Sequence, residues 1–246
     1  MNCMEDLGMN NYRQHKKLIK SIVLITSIMI IFLTTVSFSY KYFTDEEANT
    51  KINQIEQTMT DLRVTMNLNS KRQYEIQRII QIIDYYNNNM PADEKYQIAN
   101  EIYRMSMKYT NLNIDLICAT ITHESALTWK KDVVSPVGAL GLMQIMPQTG
   151  EELAKEEGVK WTSPEKILFD PILNIRLGCR YLSNLVHEYE IDGGLAAYNG
   201  GEKRAALWIK NRNHKTDWTI LWEETRTYVP AILKLYAKFQ QQTGIL

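Results

Sequence analysis

The chain has 246 residues, with 28 basic and 28 acidic side chains and 45% apolar residues. This length accommodates one full domain with additional segments, or two small domains, and the balanced charge argues against a nucleic-acid-binding protein, which usually carries a basic excess. Three cysteines and four widely separated histidines give neither a disulfide framework nor a metal-ligand pattern, so we predict no metal and no other cofactor.

Residues 21–40 form an uncharged apolar run, SIVLITSIMIIFLTTVSFSY. As a helix, twenty residues would span about 30 Å, the thickness of the hydrocarbon core of a bilayer. Four basic residues precede the run, and Lys41 and then three acidic residues follow it. By the positive-inside rule we predict that residues 1–20 are a basic cytoplasmic tail, that residues 21–40 cross the cytoplasmic membrane once, and that the rest of the chain lies outside.

A cleaved signal peptide is the alternative interpretation of this segment. Its apolar region would normally be shorter, about 7–15 residues, and would end in a small-x-small cleavage site. Ser37 and Ser39 make only a poor version of that site. The length of the run therefore favours an uncleaved anchor.

Residues 41–90 contain neither glycine nor proline, which indicates a long uninterrupted helix. Apolar side chains recur at alternating steps of three and four across residues 52–83, with two polar interruptions. This heptad pattern is typical of a coiled coil, so we predict a helical stalk over residues 41–90. Three interpretations remain: the stalk forms a homodimer through residues 52–83, the segment packs onto the following domain, or it breaks into two helices near residues 67–70.

From residue 92 onward the pattern becomes one of helices separated by loops, and no strand-like alternation of any length occurs. Asn113 can cap a helix, and Asp170 followed by proline can open a longer one. Thr149 and Glu152 match a capping box that opens a short helix ending near Gly158. We therefore predict a predominantly α domain over residues 92–246.

Glu124 falls on the apolar face of the helix that follows Asn113, one turn after Thr120 and Ile121. A carboxylate at such a position is costly unless it is protonated or has a partner, and the helix C-terminus also disfavours negative charge. Both effects raise its pKa, as a general acid requires near neutral pH. The alternative is a structural glutamate bonded to its neighbours.

Residues 135–147 combine two glycines and two prolines with one amide and two methionines. Glycines let the backbone approach a ligand closely, and Gln144 offers both a donor and an acceptor. Methionine makes soft contacts with apolar ring faces. The combination suits a sugar that carries an N-acetyl group, whereas the other interpretation is a connector whose methionines belong to the core.

Four motifs follow one another along the chain: HES at 123–125, GLMQIMP at 141–147, AYNGG at 197–201 and ETRTYV at 224–229. Together they resemble the catalytic domain of the soluble lytic transglycosylase family, over roughly residues 96–240. That family has a lysozyme-like fold and cleaves the glycan strands of peptidoglycan. The resemblance therefore implies a mainly α, lysozyme-like catalytic domain over residues 92–246, which would face the cell wall. It says nothing about the first 90 residues, where the transmembrane helix and the helical stalk are predicted from hydropathy and heptad pattern.

The resemblance also implies roles for individual residues. The family's single catalytic acid/base corresponds to Glu124, and its positions that contact the saccharide correspond to Ser135, Gln144, Met146, Tyr198, Asn199, Glu224 and Tyr228. It implies a non-hydrolytic reaction that leaves 1,6-anhydro-N-acetylmuramic acid ends. Two alternatives stay open: a hydrolytic muramidase of the lysozyme type, and a wall-binding scaffold component of a secretion or phage machine.

Overall fold

The structure, a computed structural model, describes residues 3–214 and 223–243. Within these residues the chain forms eight helices: α1 Cys3–Tyr86, α2 Ala92–Lys108, α3 Ile114–Glu124, α4 Pro147–Glu156, α5 Pro164–Leu168, α6 Pro171–Gly200, α7 Glu202–His214 and α8 Glu223–Thr243. The same residues contain isolated β-bridges in the loop between α3 and α4 but no β-strand. The prediction of a mainly α fold is confirmed.

The chain divides into two compact units, Met1–Leu68 and Asn69–Leu246. In the first unit, the apolar side chains of residues 21–40 are exposed, from Ile22 to Tyr40. By length and composition this part of α1 is able to cross a membrane, and it is the one such helix in the described part of the chain. Membrane insertion itself stays a prediction.

The second unit begins at Asn69, earlier than the start at residue 92 that the sequence suggests. Ile76 and Ile83 on α1 are completely buried in the core of this unit, and Arg72 Nη2 donates to Asn100 Oδ1 on α2 (2.7 Å). Residues 69–86 therefore belong to the folded domain. Because the same chain covers Ile76 and Ile83, they are not available to a second copy.

Side-chain caps define two of the helix starts that the sequence indicates. Asn113 Oδ1 accepts from the Leu116 N–H at 2.9 Å, and Asp170 Oδ1 accepts from the first backbone N–H groups of α6. The predicted capping box of Thr149 is wrong, because α4 begins at Pro147 and no side chain caps it. Proline has no N–H to satisfy and a backbone angle suited to the first helical turn, so the helix starts there.

Helix α3 lies at the centre of the second unit. Every residue from 115 to 122 is buried, so the helix has no solvated face along this stretch. The carboxylate of Asp115 is paired with Arg78 of α1 (2.5 Å), and the thiols of Cys118 and Cys179 are free and buried. A helix enclosed in this way presents only its end, at Glu124, to an approaching ligand.

Candidate active site

Glu124 is the last residue of α3 and is only partly accessible to solvent. The hydroxyl of Tyr228 on α8, itself 5% exposed, donates a hydrogen bond to Glu124 Oε1. Burial raises the pKa of Glu124 to about 7, although the Tyr228 hydrogen bond lowers it, and the charge of Glu224 raises it further. At neutral pH this carboxyl group therefore exchanges readily between its protonated and ionised forms.

The turn after Glu124 holds the end of α3 in place. Three of its non-glycine residues have left-handed backbone angles: Ala126, Leu127 and Trp129 (φ 53°, 62° and 51°). Such angles persist only where the surroundings enforce them. Here the completely buried Trp129 donates from Nε1 to Thr122 Oγ1 and from its backbone N–H to Ser125 Oγ, both at 3.0 Å.

Tyr198 connects the AYNGG motif with the GLMQIMP loop. Its hydroxyl donates to the backbone carbonyl of Met143 at 2.8 Å. Burial and the nearby charge of Glu124 hold the pKa of Tyr198 well above its usual value. The same two causes raise the pKa of Tyr228, so both phenols remain protonated and act as hydrogen-bond donors beside Glu124.

Gln144 has a left-handed backbone (φ 47°) in the loop between α3 and α4. Its Nε2 donates to the carbonyls of Gly141 (2.8 Å) and Val133 (3.2 Å), so the amide nitrogen supports the loop and the amide oxygen is the atom suited to accept from a ligand. Ser135 Oγ likewise accepts from a backbone N–H of the loop, that of Ala139 (2.9 Å).

The buried side chain of Asn174 on α6 holds the loop between α3 and α4 by hydrogen bonds. The sequence did not indicate this role. Its Nδ2 donates to the carbonyls of Leu140 (3.0 Å) and Leu168 (2.8 Å), and its Oδ1 accepts from the Met143 N–H (2.8 Å). One turn later, Gly178 packs so closely that an added Cβ would lie 2.7 Å from Met143 Cβ. The only sequence signal was an amide between the apolar residues Leu173 and Ile175.

Asn199 and Glu224 meet at the start of α8, where Arg204 joins them. Arg204 Nη1 donates to Asn199 Oδ1 (2.8 Å), to Glu224 Oε2 (3.1 Å) and to Thr225 Oγ1 (3.1 Å). Asn199 Nδ2 also donates to Glu224 Oε1 (3.1 Å). This network positions the first turn of α8, one turn before Tyr228. Arg204 and Thr225 were not among the residues expected from the sequence.

In the structure Glu124 is hydrogen-bonded to Tyr228. Tyr198 and Glu224 lie close enough to interact with it electrostatically. Asn199 joins this group through Glu224. The other three expected residues lie in the loop between α3 and α4: Ser135, Gln144 and Met146. Within the described residues none of them forms a hydrogen bond to Glu124. Met146 is 43% exposed, as a residue that contacts a ligand surface can be. No group of three metal-ligating side chains converges within residues 3–214 or 223–243.

Comparison with known proteins identifies the domain. Residues 101–221 match the Transglycosylase SLT domain family. The soluble lytic murein transglycosylase of Escherichia coli (strain K12) is 31% identical over 160 residues, which cover 62% of this chain and 24% of that protein. The membrane-bound lytic murein transglycosylase C of Photorhabdus laumondii is 36% identical over 110 residues, which cover 41% of this chain and 30% of that protein.

Among solved structures, an inactive glutamate-to-glutamine variant of the lytic transglycosylase Slt from Pseudomonas aeruginosa superimposes with a TM-score of 0.50 and 32% identity. The match covers 58% of this chain and 24% of that one. The chain therefore spans about a quarter of the length of the Escherichia coli and Pseudomonas aeruginosa proteins. The family match includes the helix that ends at Glu124, and together with these relatives it supports a lytic transglycosylase catalytic domain in this chain.

Proposed function

We propose that this chain is a membrane-anchored peptidoglycan lytic transglycosylase. It cleaves the β-1,4 bond between N-acetylmuramic acid and N-acetylglucosamine without water and leaves 1,6-anhydro ends. The observation that carries the proposal is a single half-buried carboxyl group with a pKa of about 7 at Glu124, held by Tyr228. The neighbouring Glu224 side chain is 68% exposed and bound to Arg204, which suits a supporting role.

One carboxyl group can serve both halves of this reaction. Ordinary glycosidases pair two carboxylates, one as acid and one as nucleophile or base. Here protonated Glu124 donates its proton to the glycosidic oxygen, and the N-acetyl group of the substrate stabilises the developing oxocarbenium ion. The ionised Glu124 then removes the proton of the muramic 6-hydroxyl, whose oxygen attacks the anomeric carbon. Glu124 ends protonated, and no water is consumed.

The surrounding residues support this cycle. The Tyr228 hydroxyl donates to Glu124 Oε1, so it stabilises the ionised form between the two proton transfers. Tyr198 and Gln144 orient the sugar by hydrogen bonds, and the exposed thioether of Met146 contacts an apolar ring face. Asn199 and Glu224 bind the saccharide at the start of α8, and Ser135 does so from the loop.

The reaction products test the proposal. The full chain, purified in detergent, is incubated with purified cell wall, and the released muropeptides are analysed by mass spectrometry. We expect anhydro ends, which are lighter by one water than hydrolytic products. Reducing ends in place of anhydro ends would instead establish a muramidase of the lysozyme type, and the absence of any released product would support the scaffold alternative.

The pKa of Glu124 also predicts the pH dependence of cleavage. Because the acid must be protonated, we expect kcat/KM to fall about tenfold for each pH unit above about 7. Glu224→Gln removes a nearby negative charge that raises the pKa of Glu124. This substitution should therefore shift the decline of kcat/KM to lower pH. Glu223→Gln, in the adjacent exposed residue, is the matched control. Superimposable profiles for all three proteins would contradict the assignment.

The membrane anchor is supported by the uncharged run of residues 21–40, its exposure on α1 and the charge distribution around it. We expect a tag placed after Leu246 to be digested by protease added outside the cytoplasmic membrane. The full-length protein should remain in the membrane fraction after a high-salt wash. A soluble species that begins near Tyr40 would show a cleaved signal peptide instead.

The stalk also suits self-association, now restricted to its exposed part. Five apolar residues of the heptad seam are more than half exposed in the first unit: Ile52, Ile55, Met59, Leu62 and Met66. We infer that this seam pairs with a second copy, helped by the high effective concentration of chains in one membrane. Ile55→Asn with Leu62→Asn should reduce crosslinked dimers of the full chain, whereas Val64→Asn, outside the seam, should not. Equal crosslinking of both variants would show that the heptad seam does not mediate dimerisation.

A further inference from the structure

A second concave surface lies in the catalytic unit, away from Glu124. It is a groove of about 510 Å³ between the last turns of α1 and the end of α8, within the size range of small-ligand sites. Its ligand-accessible lining combines aromatic, amide and cationic side chains: Tyr74, Gln77, Gln81, Tyr85, Tyr86 and Lys238. The buried Ile82 and Phe239 close its floor.

Tyrosine rings form the wall of this groove. Tyr85 is 74% exposed and Tyr74 is 39% exposed, whereas Tyr86 is half-buried and meets Tyr85 edge to face, with ring centroids 4.8 Å apart. The exposed rings contribute little to the core of the domain. A tyrosine ring offers a flat apolar face with a polar edge, which suits a ligand that is itself apolar on one face and hydroxylated at its rim.

A positive charge stands over these rings. The Lys238 Nζ lies 4.6 Å from the centroid of Tyr85 and 5.8 Å from that of Tyr86. The other cation of the groove, Arg78, is engaged by Glu75 and Asp115. No carboxylate is among the residues that line the groove in the described chain. The groove is therefore electrostatically suited to an anionic group beside a ring face.

The groove and the catalytic glutamate lie toward opposite ends of the α3–α8 pair. Lys238 follows Tyr228 by ten residues, or about 15 Å along the helix axis. Arg78 of the groove binds Asp115 at the start of α3, whereas Glu124 ends that helix. A short sugar fragment at Glu124 would leave the groove empty, but a polymeric substrate can reach both sites.

We propose that this groove is a second binding site for peptidoglycan. Pyranose rings of the glycan stack on Tyr74 and Tyr85, Gln77 and Gln81 bond its hydroxyl and acetamido groups, and Lys238 pairs with a carboxylate of the muramyl peptide. The choice of polymer rests on the proposed function. Binding at two places raises the effective concentration of the strand, so the enzyme stays on the wall between cleavages.

Wall binding can be tested separately from catalysis. The full chain with Glu124→Gln is cosedimented with purified insoluble peptidoglycan, so that the wall is not consumed. Adding Tyr85→Ala or Lys238→Ala should weaken binding roughly tenfold, the scale of one charge-assisted or stacked contact. The controls are Lys234→Ala, an exposed lysine one turn earlier on α8, and Tyr96→Ala, an exposed tyrosine of α2.

Chitin separates the two contributions, because this β-1,4 polymer of N-acetylglucosamine carries no carboxylates. We expect Tyr85→Ala to weaken binding to chitin, and Lys238→Ala to leave it unchanged. Binding of both groove variants to peptidoglycan as tight as that of the controls would overturn the proposal, as would equal losses on chitin. A chain that releases no anhydro products but loses wall binding on Tyr85→Ala would refute the proposed function and leave the groove site standing.

Discussion

Glu124→Gln is expected to reduce the release of anhydro products by about 10⁴-fold or more while the affinity for glycan survives. Glutamine keeps the shape of the side chain and can still accept the Tyr228 hydrogen bond, but it cannot deliver a proton. General acid–base catalysis is typically worth about 10² to 10⁴-fold. Because one residue would serve both proton transfers in the proposed reaction, the loss should reach or exceed the upper end of that range.

The same variant should gain stability in a pH-dependent way. The folded protein raises the pKa of Glu124 from 4.5 to about 7, so between these values the folded state binds the proton more tightly than the unfolded state. The free energy of unfolding therefore falls as pH rises through this window, by up to about 3 kcal/mol. Glutamine does not titrate. We expect Glu124→Gln to melt above the wild type at pH 8 and close to it at pH 4.

This stability profile separates lost chemistry from lost structure, and Glu224→Gln supplies the comparison. Glu224 is exposed and hydrogen-bonded to Arg204 and Asn199, so its replacement should cost far less activity on the same wall preparation. Both variants are compared by product release and thermal melting. If Glu124→Gln retained most of its activity while Glu224→Gln lost it, the two roles would be reversed.

Local signals in the sequence were sufficient to predict the helix that ends at Glu124. The caps at Asn113 and Asp170 depend on neighbours two or three residues away, and the position of Glu124 follows from helical periodicity. The full enclosure of α3 was not visible in the same way. The burial of Asp115, with its partner Arg78 37 residues earlier, depends on a contact that no periodicity encodes.

The boundary of the catalytic unit shows a second limit. Ile55 and Ile83 occupy the same heptad seam, yet Ile55 is 62% exposed and Ile83 is completely buried. A repeat of apolar residues indicates that one face of a helix is buried. It does not indicate whether a second copy or the same chain buries that face. Only the tertiary structure distinguishes the two.

The supporting residues were missed for a related reason. Arg204 binds groups 5, 20 and 21 residues away, so no local pattern indicates them. Asn174 binds backbone atoms, which every residue type has, so the sequence does not identify its partners. The turn at Trp129 has left-handed angles at residues other than glycine, so no glycine marked it. These residues set the geometry of the site without touching the expected catalytic group.

Asn174→Ala is therefore expected to be among the most destabilising single substitutions in the domain. It would leave the Leu168 carbonyl and the Met143 N–H without a partner, whereas the Leu140 carbonyl would still accept from the Ile145 N–H (3.0 Å). Each unsatisfied buried group costs about 1–3 kcal/mol, so for two such groups we expect a total loss of roughly 2–6 kcal/mol in the free energy of unfolding. Asn89→Ala, at an exposed asparagine of the α1–α2 loop, should change it by less than about 0.5 kcal/mol.

Enzymatic activity provides an independent measure of how Asn174 holds the loop between α3 and α4. Tyr198 bonds to the Met143 carbonyl on the loop that Asn174 holds, so loosening this loop displaces both Gln144 and a donor beside Glu124. At a temperature where Asn174→Ala remains folded, we expect a higher KM and a lower kcat, with the pH limb near 7 unchanged because Glu124 itself is intact. Urea unfolding and initial rates of product release measure the two effects. A variant as stable and as active as Asn89→Ala would show that the loop holds its shape without Asn174.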